Sequence, residues 1–249
     1  MKLVLPEPKY MKDSIAIMSE LVSETRFKIS SSGITAVAVD PANVAMIIFK
    51  LLSSCFSEFD IKEEVTLGLN LNNLKQILRR VESSDVMTLE TDESVSKLKI
   101  TVQGKTTRRF AIPILEMDEK DKKEPELEFP VEITMPASTL SSAIDDADVV
   151  ADSVTFVADT NKFRVVAEGD LNNVEVEIAA NEEVTINNTT DSTIKAKYSL
   201  EYLKKMILGS KISDVISIGY NKDYPIKLNF VAVDKMSMGF VLAPRVETD

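Results

Sequence analysis

Nothing restricts the possible folds of this chain more than the fact that it repeats itself. The stretch "DPANVAMII", Asp40 to Ile48, shares Asp, Asn, Val and Ile at equal spacing with "DLNNVEVEI", Asp170 to Ile178, 130 residues further on. A longer match sets "LNNLKQILRRVESSDVMTL", Leu71 to Leu89, over "LEYLKKMILGSKISDVISI", Leu200 to Ile218, without a gap and at an offset of 129. There Leu71, Leu74, Lys75, Ser84, Asp85 and Val86 recur as Leu200, Leu203, Lys204, Ser213, Asp214 and Val215. The period far exceeds the roughly 20 to 50 residues of stacked repeats, so the repeated unit is a whole domain that closes its own core. The division expected is a first domain over 1–115, a connector over 116–129 and a second domain over 130–249. The connector, "EMDEKDKKEPELEF", is a charged run with a proline and neither helical nor strand periodicity.

Both halves follow one order of elements. Each opens on an amphipathic helix, with apolar residues Ile15, Met18, Leu21 and Val22 within Met11 to Glu24 in the first half. In the second half they are Leu140, Ala143, Ile144 and Ala147 within Ala137 to Asp148, after Pro136. Strand patterns follow: "TAVAVD", "VAMIIF" and "VTLGLNL", then "SVTFVAD", "KFRVVAEG", "VEVEIAA" and "STIKAKY". The repeated helix comes next, Leu71 to Arg80 or Leu200 to Lys211. Three further strand patterns close each half: "VMTLETD", "KLKITVQ" and "RFAIPI", then "DVISIGY", "PIKLNFVA" and "MGFVLAP". Many strands, two helices per half and no regular alternation give an α+β class with mostly antiparallel sheets covered on one face by helices.

The 249 residues carry a formal net charge of -11, and the total argues against binding to polyanions. The distribution argues otherwise. Leu71 to Arg80 holds Lys75, Arg79 and Arg80 and no acid, and Leu200 to Lys211 sets Lys204, Lys205 and Lys211 against Glu201 alone. These cations lie off the apolar stripes, facing water or a polyanion. The leading helices are acidic, the second through Asp145, Asp146 and Asp148.

Catalytic chemistry is thinly represented. There is no histidine, the seven glycines form no phosphate loop, and no nucleophile elbow occurs. The Asp145 cluster admits a Mg²⁺ site for phosphoryl chemistry, but clustered acids also serve structural ion pairs, and no metal or cofactor is expected. The single cysteine, Cys55, reads as a small buried hydrophobe. The N-terminus "MKLVLPEPKYMKD" is broken by Pro6, Pro8 and Lys9 before any leader-length apolar run. The expectation is a soluble, unexported, cytoplasmic chain with no membrane partner.

The terminal "GFVLAPRVETD", the "ISSSGI" of residues 29–34, "VDPANVAM" and "NLNNLKQIL" together resemble one family, the DNA sliding clamps of the PCNA type in their archaeal form. The resemblance implies two tandem clamp domains, three chains closing head to tail around duplex DNA, helices lining the bore and sheets outside. It implies a non-enzymatic polymerase processivity factor of replication and repair, associated with the nucleoid. Its partners would be duplex DNA, further copies of itself, a clamp loader, DNA polymerase, flap endonuclease and DNA ligase.

Carried onto this sequence, the family's pattern sets Lys12, Lys75, Arg79, Lys204, Lys205 and Lys211 toward DNA. The family's subunit contact joins the last strand of the first domain to an edge strand of the second, here "RRFAIPI" with Phe110 and Ile112, and "NVEVEIA" with Val174, Val176 and Ile178. Asp145, Asp146 and Asp148 depart from a uniformly basic bore, and are expected to pair across that contact with Arg80, Arg108 or Arg109. The family's pocket for short client peptides corresponds to Val39, Asn43, Val44, Met46, Pro225, Val241, Leu242, Ala243 and Pro244, with the connector as one wall. Two other readings remain open: a subunit of a mixed ring or a regulatory paralogue, and a metal-dependent nuclease built on the Asp145 cluster.

Overall fold

The computed structural model describes residues 1–91, 94–117, 122–190 and 192–246. It divides into two compact units, Met1–Pro41 with Ile47–Glu124 and Ala232–Met238, and Ala42–Met46 with Pro125–Val231 and Gly239–Asp249.

The first unit contains β1 (Lys2–Leu5), α1 (Lys9–Met18), β2 (Glu24–Ser30), β3 (Gly33–Val39), β4 (Ala45–Leu52, whose first two residues group with the second unit), β5 (Glu58–Asp60), β6 (Val65–Asn70), α2 (Leu71–Leu78), β7 (Val86–Thr91), β8 (Lys97–Gln103) and β9 (Thr107–Pro113). One sheet runs β5-β1-β7-β8-β9 and the other strands run β4-β3-β2-β6. The second unit contains β10 (Val131–Pro136), α3 (Ala137–Asp148), β11 (Ser153–Ala158), β12 (Lys162–Glu168), β13 (Asn173–Ala179), β14 (Thr185–Asn188), β15 (Ile194–Ser199), α4 (Leu200–Met206), β16 (Val215–Tyr220), β17 (Ile226–Ala232, whose last residue groups with the first unit) and β18 (Met236–Leu242, whose first three residues do likewise). Its orders, β14-β10-β16-β17-β18 and β13-β12-β11-β15, reproduce those of the first unit strand for strand. The duplicated sequence is thus a duplicated topology, and the registers are antiparallel throughout the described pairings, as in Ile100 opposite Phe110 and Val165 opposite Val176.

Each helix owes its place to an apolar face. In α1, Met11, Ile15 and Met18 are buried, and α1 packs on α2 through Leu71, Leu74 and Leu78. α2 is started by Asn70, whose side-chain oxygen accepts from the amide of Asn73 at 3.0 Å, satisfying one of the first-turn donors. In the second unit Leu140, Ala143, Ile144 and Ala147 of α3 face Leu200, Leu203 and Met206 of α4. The second unit's core is aromatic: Phe156 packs edge-on against Phe163, Tyr198 and Tyr220 at 5.1, 5.7 and 6.3 Å between ring centres. Burial pushes both tyrosine hydroxyls far above their ordinary pKa, and the Tyr198 hydroxyl donates to the carbonyl of Tyr224. Cys55 is 8% exposed, and burial pushes its thiol pKa up, as befits a small apolar core residue.

Several boundaries differ from the sequence reading. The first helix ends at Met18, not Glu24: Leu21 and Val22 turn back on the Met18 carbonyl, and Glu24 opens β2 opposite Asn70. The period-2 pattern of "ETRFKIS" and its pairing with β6 prevail there over the helical spacing of Leu21 and Val22. The repeated helix is shorter than its pattern in both halves. α2 stops at Leu78, and α4 passes after Met206 into a 3-10 turn, Ile207–Lys211. Gly209 lets the Phe230 ring pack against that turn, since a Cβ there would stand 2.3 Å from it. β1, β2, β5, β10 and β14 were not among the expected strands; all are short or alternate with charged residues, so tertiary pairing decides them.

Candidate nucleic-acid interface

In the first unit the polar faces of α1 and α2 carry the cations. Lys12 reaches across to the carbonyl of Val81 at 2.8 Å, which ties α1 to the segment after α2. Lys75 pairs with Glu20 at 2.7 Å, while Arg79 and Arg80 are exposed. In the second unit Lys205 pairs with Glu201 at 2.8 Å and lies 5.4 Å from the centre of the Tyr202 ring, and Lys211 is exposed on the 3-10 turn. Lys204 pairs with Asp148, and this carboxylate raises the pKa of the Lys204 ammonium. Arg79, Arg80 and Lys211 are thus exposed, Lys12 is half-buried on the Val81 carbonyl, and Lys75, Lys204 and Lys205 sit in surface pairs of the kind worth about 0–1 kcal/mol.

Asp145 and Asp146 are exposed on the last turn of α3, which holds no basic residue. Among the described residues no three His, Cys, Asp or Glu side chains come together as a metal-holding group.

Several strands end their sheets among the described residues, β9 and β13 among them. β9 ends the first unit's five-stranded sheet, and β13 ends the second unit's four-stranded sheet. They share one burial rhythm, with Phe110 and Ile112 half-buried and buried on β9, and Val174, Val176 and Ile178 likewise on β13. Arg109 is exposed on β9. Arg108 instead points inward, pairing with buried Asp85 at 2.6 Å and donating to the carbonyl of Arg80 at 2.6 Å. Arg108 and Asp148, two of the residues expected to pair across a contact, thus already hold partners within the chain.

Of the residues assigned to the client pocket, Val39 closes β3 in the first unit and the rest lie in the second. The amide of Ala243 donates to the carbonyl of Val44 at 2.9 Å, which brings 243–244 beside 44–46. Val44, Met46, Ala243, Pro244 and Pro225 are half-buried and Asn43 is exposed with φ 57°. Val241 and Leu242 are 8% and 1% exposed, so they belong to the core and support the surface from below. The connector lies partly outside the described residues, at 118–121. Its last residues, Leu127 and Phe129, line a groove of about 380 Å³ over β10, β16 and β17. Phe129 stacks edge-on with Tyr224 at 6.2 Å and rests on Gly219, where a Cβ would stand 2.5 Å from its ring. Leu127 and Phe129 fall in the connector expected as one wall of the pocket, whereas Tyr224 and Gly219 are missed from sequence, where the one available signal is a glycine interrupting the apolar run "DVISIGY".

The profile of the proliferating cell nuclear antigen N-terminal domain matches residues 3–124, and that of its C-terminal domain matches residues 123–245. The chain is 33% identical over 246 residues to a DNA polymerase sliding clamp of Thermococcus onnurineus, covering 99% of this chain and 98% of the relative. It is 32% identical over 247 residues to one of Nanoarchaeum equitans, covering 98% and 99%. A crystallised PCNA from Thermococcus kodakaraensis has the same fold, with a TM-score of 0.90, 22% identity, and coverage of 98% of this chain and 99% of that one.

Proposed function

Since this chain belongs to the proliferating cell nuclear antigen family, we propose that it is a DNA polymerase sliding clamp, a non-enzymatic ring that encircles duplex DNA and tethers enzymes to it. The observation that carries the reading is the pair of open edges, β9 and β13, one on each copy of a duplicated unit. A contact between two different surfaces of one chain is heterologous and must either close or propagate. Two similar domains per chain allow three chains to close with pseudo-sixfold symmetry, β9 of one copy adding to β13 of the next through backbone hydrogen bonds. Arg80 and Arg109 would meet Asp145 and Asp146 at that contact.

Encirclement removes the need for tight or base-specific contact. Lys12, Lys75, Arg79, Lys204, Lys205 and Lys211 would meet phosphates through screened attraction, which leaves the ring free to slide. Clients, namely a clamp loader, DNA polymerase, flap endonuclease and DNA ligase, would dock short peptides on Asn43, Val44, Met46, Pro225, Ala243 and Pro244, with Leu127 and Phe129 as the connector wall. The domains would join through 116–129, and the protein would work at the nucleoid.

The test is polymerase extension on a primed circular template with a loader. Product length should rise sharply with the chain present, and unchanged length would sink the proposal. A mixed ring is the second reading, favoured by an α3 without any cation. Light scattering of the pure chain separates them, since a subunit of a mixed ring stays below trimer mass.

A further inference from the structure

The segment 80–85, after α2, is a junction of four elements of the first unit. Lys12 of α1 holds the Val81 carbonyl. Arg108 of β9 spans the segment with both arms of its guanidinium, Nη1 donating to the Arg80 carbonyl and Nη2 to Asp85 Oδ2, each at 2.6 Å. The same Oδ2 accepts the amide of Glu82 at 2.9 Å. The turn between β8 and β9 closes over Asp85 at Gly104, where a Cβ would stand 1.8 Å from Oδ1. Asp85 is 3% exposed. A two-armed guanidinium fixes direction as well as distance, and removing Arg108 strands the Asp85 charge away from water.

The duplication separates what this arrangement does from what the fold requires. Asp214 is the gapless counterpart of Asp85, yet it is exposed, and the second unit reaches the same strand order without a buried carboxylate there. β9 ends its sheet, with no neighbour among the described residues to hold its outer side. Its course must be fixed from within.

We propose that Arg108 and Asp85 form an internal strut that holds β9 in the course a second copy of this chain pairs with, so that both are positioning residues for ring closure and not contact groups. The inference rests on the reading of β9 as a subunit edge.

Sedimentation over nanomolar to micromolar concentrations, at low salt and at about 1 M salt, tests it with Asp85→Asn, Arg108→Lys and Ile34→Val, the last a core control in β3. The two strut variants should raise the dissociation concentration at least tenfold, by a similar factor at both salt concentrations because the pair is internal. Ile34→Val should leave it unchanged. Arg108→Lys keeps the charge and loses only the second arm, so it reports even where Asp85→Asn does not fold. Strut variants that are folded yet associate like the parent, or whose shift follows melting temperature just as the control's does, overturn the strut. A parent chain that stays monomeric throughout overturns instead the reading of β9 as a subunit edge.

Discussion

Gly33 sits at φ 136°, and a Cβ there would stand 2.1 Å from the Leu51 carbonyl oxygen, a backbone atom that cannot swing aside. Gly33→Ala is expected to cost about 2 kcal/mol or more in urea unfolding, from the disallowed conformation and the clash together. A second residue-scale case is Asp159, which accepts from the Thr193 hydroxyl and from Arg164 Nη2 at 3.0 Å. Thr193 first, then Arg164, holds this carboxyl below its ordinary pKa. Because the folded pKa lies below the unfolded value of about 3.9, the stabilisation is complete above that value and is lost as pH falls through the folded one. The gap in melting temperature between the parent and Asp159→Asn should hold steady from about pH 7 to 5 and close below about pH 4. A gap that widens in acid would contradict this assignment.

At the scale of elements, α3 breaks a local rule. Its last turn carries Asp145, Asp146 and Asp148, where the carbonyl end of a helix disfavours anions by about 0.3–1 kcal/mol each. Lys204 pairs with Asp148 and its charge also reaches Asp145. A local cost only partly compensated within the unit directs attention to what the helix meets outside it. Reversing Asp145 and Asp146 to lysine should therefore have two effects of opposite sign: a gain of a few tenths to about 1 kcal/mol in folding stability, and a shift toward monomer in light scattering. Unchanged assembly mass would remove the proposed role of these acids, whatever the melting curve does.

For the whole molecule, threading and adhesion predict different responses to salt. Adhesion through a few phosphate contacts loses affinity steeply between low and moderate salt, whereas a closed ring leaves only by opening or by running off an end. Protein loaded onto nicked circular duplex should survive a wash with about 0.5 M salt and be released when the circle is cut. Equal retention on linear and circular DNA would exclude encirclement.

The duplication is legible in the residues without coordinates, since two gapless matches at nearly one offset fix both the unit and its repetition. So are the α+β class and the basic faces of α2 and α4, because helical spacing assigns Leu71, Leu74, Leu200 and Leu203 inward and the cations outward. The family motifs were equally legible. The tertiary structure alone decided what depends on long-range pairing: that "ETRFKIS" is a strand and not the end of a helix, that Arg108 turns inward to Asp85, that Phe129 rests on Gly219, and that Leu242 lies in the core. Local periodicity records which face of an element is apolar. It does not record which distant atoms complete a hydrogen bond or fill the space left by a missing side chain, and those contacts are made only when the sheets close.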